Sequence, residues 1–213
     1  MTTHTSLISG KAAAIRIENL DTDQIMPKQF LHGIDKSGLA QGLLYNLRFD
    51  PQGRARSDFV LNQPQFAESR ILIGGANFGC GSSREHAVWG LLQYGIHAVI
   101  APSFGEIFYS NAMNNRLMLV MLPPDQIEVL MREAEAVGGS NVTVDVATQR
   151  VHSQNVDSQF QLSALHRQMF LEGLDVIGMT LKHRRAIDAF TTQHWHSQPW
   201  VKDVAALTCA RVN

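Results

Sequence analysis

The residues Gly79-Cys80-Gly81-Ser82-Ser83-Arg84-Glu85-His86 form a tight junction between two apolar stretches, and they narrow the folds open to the chain. Before them stand Ile71-Leu72-Ile73 and the pair Gly74-Gly75; after them comes Ala87-Val88-Trp89-Gly90-Leu91-Leu92. A short apolar run closed by glycines predicts a buried strand, and the second run predicts a helix. The chain therefore turns from strand to helix here, with Ser82, Ser83 and Arg84 at the helix N-terminus. That end carries unpaired N–H groups and positive partial charge, so it favours a bound carboxylate or phosphate.

Ser82-x-x-Glu85 also matches a capping box, the commoner use of that spacing. Capping leaves two things unexplained: the glycines on both sides of Cys80, and an arginine in a first turn where its charge opposes the dipole. An external anion is the expected counter-charge for that arginine. Familiar glycine loops fail on spacing. No lysine follows Gly81 as a P-loop demands, position 84 is Arg where a dinucleotide fingerprint starting at Gly79 needs Gly, and no Gly-x-Ser-x-Gly elbow fits.

The rest of the chain alternates strands and helices. Residues 12–17, 70–75, 98–101, 117–122 and 142–146 read as strands, and 84–94, 106–114, 126–137 and 164–172 as helices. A hairpin is expected over 151–162 and a further helix from Asp175 to about Thr191. This is an α/β pattern without internal repeats. With 213 residues, 45% of them hydrophobic, the chain is long enough to bury a real core. A net charge of -1 argues against a nucleic-acid surface. The stretch from Met1 to Lys11 lacks a signal-peptide core and no run approaches the length of a membrane helix, so a cytoplasmic protein is expected. Two cysteines, Cys80 and Cys209, give no disulfide framework.

The segment from Asn77 to Ala87 resembles the signature of the small-subunit family of 3-isopropylmalate dehydratases, which is similar to the swivelling domain of aconitase. The resemblance extends to Asn19–Leu31, Ala101–Phe108, Asn111–Asn115 and Gly173–Leu181, in family order, over roughly residues 5 to 190. Ala76 and Val88 depart from it, standing where relatives often carry a charged residue and a proline. The resemblance implies a single α/β domain of the β/β/α swivelling kind, like the fourth domain of aconitase, spanning 1–190. It implies a mobile loop at about 33–56 that helps to discriminate the substrate, and a C-terminal tail at 191–213 follows.

The chemistry so implied is dehydration and rehydration of a small hydroxy-dicarboxylate, converting 2- and 3-isopropylmalate through isopropylmaleate in leucine biosynthesis. It needs a base for a proton next to a carboxylate, clamps for the carboxylates and a Lewis acid for the departing hydroxide. By the resemblance Ser82 is the catalytic base, stabilised as an alkoxide by the helix end and the nearby guanidinium. Ser83 and Arg84 hold substrate carboxylate, Arg84 as a planar fork. Thr22 and Asp23 line the site, and Lys28 falls where relatives carry a cation. Asp21-Thr22-Asp23 equally reads as an Asx turn. Cys80, Glu85 and His86 support the turn from behind, Cys80 by being small between glycines and His86 by orienting its neighbours.

The Lewis acid of this family is a 4Fe-4S cluster, which takes three or four cysteine thiolates. Two widely separated cysteines cannot supply them. No metal is therefore expected on this chain; the cluster belongs to a large iron–sulfur subunit, and activity requires that partner. A related hydro-lyase subunit for citraconate, dimethylmaleate or homoaconitate is the alternative, and a non-catalytic anion-binding module is another. The tail's His194-Trp195-His196 has no third ligand at a recognisable spacing.

Overall fold

A computed structural model of the protein describes residues 6–31 and 37–212. Seven strands form one sheet: β1 (Leu7–Ile15), β2 (Ile71–Gly74), β3 (Ala98–Ala101), β4 (Met118–Met121), β5 (Asn141–Asp145), β6 (Arg150–His152) and β7 (Asp157–Gln159). They lie in the order β4-β3-β2-β1-β5-β6-β7. From β1 to β4 the pairing is parallel; from β1 through β5 and β6 to β7 it is antiparallel. β1 thus belongs to both halves, pairing through Ala12–Ile15 with β2 and through Leu7–Lys11 with β5.

The parallel strands are joined by helices, as parallel pairing requires. α1 (Thr22–Ile25) and α2 (Tyr45–Arg48) lie between β1 and β2, α3 (Glu85–Tyr94) between β2 and β3, α4 (Glu106–Asn114) between β3 and β4, and α5 (Pro124–Glu135) after β4. Two buried clusters cover the two sheet faces. Ala13, Leu72, Val99 and Leu119 pack with α3 and α4, while Ala12, Ile71, Ile73, Ala98, Ile100 and Val120 pack with α5. Burial on both faces explains why β2, β3 and β4 read as unbroken apolar runs rather than alternating ones. Arg16, just past β1, bridges Glu128 and Glu135 at 2.6 Å and ties that end of the sheet to α5.

Residues 33–36 of the expected loop lie outside the described residues. The described remainder is less polar in its packing than its composition suggests. Leu39, Leu43 and Leu44 enter the core from a 3-10 turn (Leu39–Gly42) and the start of α2. Within it Asp50 to Arg54 forms a turn, with Asp50 accepting from the amides of Gln52 and Arg54.

By contacts the chain divides into two units, Met1–Gly173 and Leu174–Asn213. The reason is local. α6 (Ala164–Glu172) is capped by Ser163, whose hydroxyl accepts from the His166 amide, and stops at Gly173 in left-handed conformation. The second unit holds α7 (Val176–Leu181), α8 (Arg184–Ser197) and α9 (Val204–Val212), so the expected tail is helical. Among the described residues no helix is long and apolar enough to cross a membrane.

His97, leading into β3, gives a pH test of the first unit. Burial, then the Arg70 guanidinium, lowers its imidazole below the ordinary 6.5. The unfolded chain therefore binds that proton more tightly, and the stability held by neutral His97 is present above about pH 6.5 and lost as pH falls. The urea midpoint is expected to drop between pH 7.5 and 5.5, above the window where carboxylates titrate, and to drop less in His97→Gln. An equal drop in both would remove His97 from this slope.

Candidate active site

Three loops at the carboxyl ends of β1, β2 and β3 interlock, the place where open parallel sheets bind ligands. The loop after β2 runs from Gly75 to Arg84 and is fastened on both sides. From the β1 side, the Asn19 amide donates to the Ala76 carbonyl at 2.8 Å, the Gly79 amide donates to Leu20 at 2.7 Å, and the Thr22 amide donates to Cys80 at 2.9 Å. The Cys80 thiol donates to the Asn19 carbonyl at 3.3 Å. From the β3 side, Ser103 receives the Asn77 amide on its hydroxyl and the Phe78 amide on its carbonyl, and the Gly105 amide donates to Phe78.

Two glycines make this packing possible. Gly79 has a φ of 74°, and a Cβ there would run into the Phe108 ring. At Gly105 a Cβ would stand 2.6 Å from the Gly79 carbonyl oxygen and 3.0 Å from Cys80 Cα. Close backbone approach is thus the role of Gly105, whereas Gly79 and Gly81, at φ 74° and 91°, supply the left-handed backbone on either side of Cys80.

The turn emerges with Ser82 and Ser83 exposed. α3 begins at Glu85, with Arg84 as its N-cap in extended conformation and no side chain capping it. The capping-box reading of Ser82-x-x-Glu85 does not hold, because the N-cap is Arg84, which leaves Ser82 two residues ahead of it. Glu85 instead accepts from the Asn115 side-chain amide at 2.5 Å, and Asn115 in turn accepts from the Trp89 indole at 2.9 Å. His86 packs behind the turn against Trp89, ring centroids 4.8 Å apart. A capping box does form nearby, at α1, where Asp21 accepts from the Gln24 amide and the Gln24 side chain accepts from the Asp21 amide.

α1 also carries the two residues that face the turn. Thr22 is 1% exposed, and its hydroxyl donates to the Ser82 carbonyl at 2.9 Å. Asp23 forms an ion pair with Arg84. Within the chain, the Asp23 carboxylate answers a guanidinium that the dipole of α3 opposes. The Arg84 side chain is 14% exposed and that of Asp23 47%, so the guanidinium is the more buried partner. The structure brings Thr22, Asp23, Cys80, Ser82 and Arg84 together. Lys28 lies exposed at the start of the 3-10 turn Lys28–Phe30, with no hydrogen bond or ion pair to the turn among the described residues.

Asn115 had no assigned role in the sequence, although it closes the Asn111–Asn115 stretch, and Asn19 and Asn77 were equally unread. Their signal was conformational. Asn19 and Asn77 both have positive φ, 52° and 56°, and their side chains hydrogen-bond to each other at 2.8 Å.

A swivelling α/β domain whose glycine-bracketed serine turn rises from the carboxyl ends of parallel strands is the class that fold and site define. The model of the aconitase C-terminal domain matches residues 4–125, and that of the C-terminal domain of the 3-isopropylmalate dehydratase small subunit matches 177–204. The 3-isopropylmalate dehydratase small subunit 1 of Chromobacterium violaceum is 58% identical over 212 residues, covering 100% of both chains. The small subunit of Caulobacter vibrioides is 45% identical over 92% of this chain and 96% of its own. A crystal structure of 3-isopropylmalate dehydratase from Methanocaldococcus jannaschii superposes with a TM-score of 0.62 at 30% identity, covering 86% of this chain and 98% of that one. The chain belongs to the family of 3-isopropylmalate dehydratase small subunits.

Proposed function

We propose that the chain is the small subunit of a hydro-lyase that interconverts 2- and 3-isopropylmalate through isopropylmaleate, in leucine biosynthesis and in the cytoplasm. The observation that carries the reading is the Ser82 turn, exposed yet fastened from both sides, with an Arg84–Asp23 pair beside it.

Ser82 is the base. Its hydroxyl, as the alkoxide, takes the proton from the carbon next to a substrate carboxylate, and in the reverse direction returns it. The uncapped N-terminus of α3 and the Arg84 guanidinium supply the positive potential that makes an alkoxide accessible here. Arg84 binds a substrate carboxylate through its fork, exchanging Asp23 for the ligand in whole or part, and Ser83 adds a hydroxyl. Lys28 is a further cation for the second carboxylate. Thr22 acts on Ser82 through its carbonyl, since its own hydroxyl is buried and committed.

The cluster that the family's chemistry requires does not fit this chain. Cys80 is half-buried with its thiol on the Asn19 carbonyl, Cys209 is exposed in the second unit, and no group of three or more His, Cys, Asp or Glu among the described residues could hold a metal ion. A large subunit would carry the cluster, and the site would close between the two chains.

The test is reconstitution. The chain and the large subunit, purified separately, are expected to be inactive alone and to turn over isopropylmalate when mixed. Greater activity on citraconate, dimethylmaleate or homoaconitate would move the chain to a related hydro-lyase. Full activity of the chain alone would refute the split site.

A further inference from the structure

The second unit, Leu174–Asn213, contains no buried residue among those described. A unit of this size cannot build a core of its own. Nine of the exposed large apolar side chains fall within it, Ile177 at 70%, Phe190 at 66% and Trp200 at 71% exposure among them. They recur at helical spacing, Ile177 with Leu181 on α7 and Ile187 with Phe190 on α8. The ring of Phe190 is stacked on His194 at 5.3 Å, which widens the flat apolar surface of α8.

From these features we infer that α7, α8 and α9 form the docking surface for the large subunit, into an apolar cleft rimmed by carboxylates. The inference rests on the partner proposed above. Area supports it first. At on the order of 150 Å² for each fully exposed side chain of this size, nine of them at about half exposure present roughly 700 Å². A specific interface buries about 800 Å² per partner.

Charge supports it second. The unit carries Lys182, Arg184, Arg185, Lys202 and Arg211 against Asp175, Asp188 and Asp203, an excess of basic groups in a chain whose net charge is -1. A two-fold contact between copies would set two such surplus-positive surfaces face to face, whereas acidic residues on a different chain complement them. The division of the family matches supports it third. The aconitase model, named for a domain at the end of a chain, stops at residue 125, and the model particular to small subunits covers 177–204. A domain joined covalently to its partner is held there by its tether at millimolar effective concentration. A separate subunit must supply that association through added surface.

The test compares the full-length chain with Ile177→Glu/Phe190→Glu, measuring affinity for the purified large subunit and turnover at saturating large subunit. The expected result is at least a tenfold rise in Kd with kcat within twofold of wild type. Hydrogen exchange on the unmutated chain guards against a folding artefact: amides of 176–197 are expected to gain protection when the large subunit is added. An unchanged Kd and no added protection, with wild-type turnover intact, would overturn the docking surface and leave the proposed function standing. Failure of the wild-type chain to bind the large subunit would overturn both. A wild-type chain that dimerises alone, with the variant monomeric and the helices protected before the large subunit is added, would give the surface to a second copy and also overturn the inference.

Discussion

Ser82→Ala in the reconstituted enzyme is expected to lower kcat by about 10²–10⁴-fold, the usual contribution of a positioned base, while assembly with the large subunit is unchanged. The side chain is exposed, and the structural bond at this residue is made by its backbone carbonyl to Thr22, so alanine keeps the turn. KM should move little, because the proposed carboxylate holders, Arg84 and Ser83, are the same in both forms. This separation makes the experiment decisive. Turnover close to wild type would remove Ser82 from the mechanism and favour an anion-binding role for the turn, whereas a large rise in KM at constant kcat would make it a binding residue.

Gly105→Ala is expected to cost about 1–3 kcal/mol of stability through overpacking and to reduce turnover by about 10²-fold through displacement of the turn. The added Cβ would stand 2.6 Å from the Gly79 carbonyl oxygen and 3.0 Å from Cys80 Cα, both backbone atoms that no side-chain rotation can move aside. Gly105 has a φ of -61°, so alanine suits its conformation and the effect isolates crowding between loops. Thermal unfolding of the chain and kcat of the complex are the two readouts. Wild-type values for both would mean that the loops after β2 and β3 slide past one another freely, contrary to their hydrogen bonds.

What could be read from the sequence divides by range. β3, α4 and α6 have the bounds expected, because Gly105, Asn115 and Gly173 stand directly beside the helices and Gly95 three residues ahead of β3. The start of β1 was not legible. Leu7–Lys11 is partly exposed and pairs antiparallel with β5, so it carries no apolar run, and only the doubly covered half from Ala12 stood out. α1 and α2 are single turns, too short for periodicity, and Leu44 enters α2 from a positive φ of 51°.

At the site, the turn itself announced its residues, since glycines, hydroxyls and a charge fall within eight positions. Its fastening did not. Thr22 and Ser82 are 60 residues apart, as are the partners Asp23 and Arg84 to within one, and nothing local distinguishes an arginine facing a neighbouring carboxylate from one facing solvent. The capping-box spacing is the converse case: a local pattern was present, but the helix starts at Glu85 with Arg84 as its cap and leaves the pattern unused.

Because loops after β1 and β3 lock the Ser82 turn within this one chain, its geometry is settled when the chain folds and not when the subunits meet. Encounter with the proposed partner then needs no reshaping of this turn. Such docking proceeds at on the order of 10⁵–10⁷ M⁻¹s⁻¹, without the slower step that shaping a loop after contact would add. On the proposed split site, a newly made chain can therefore wait for its partner with the Ser82 turn already set.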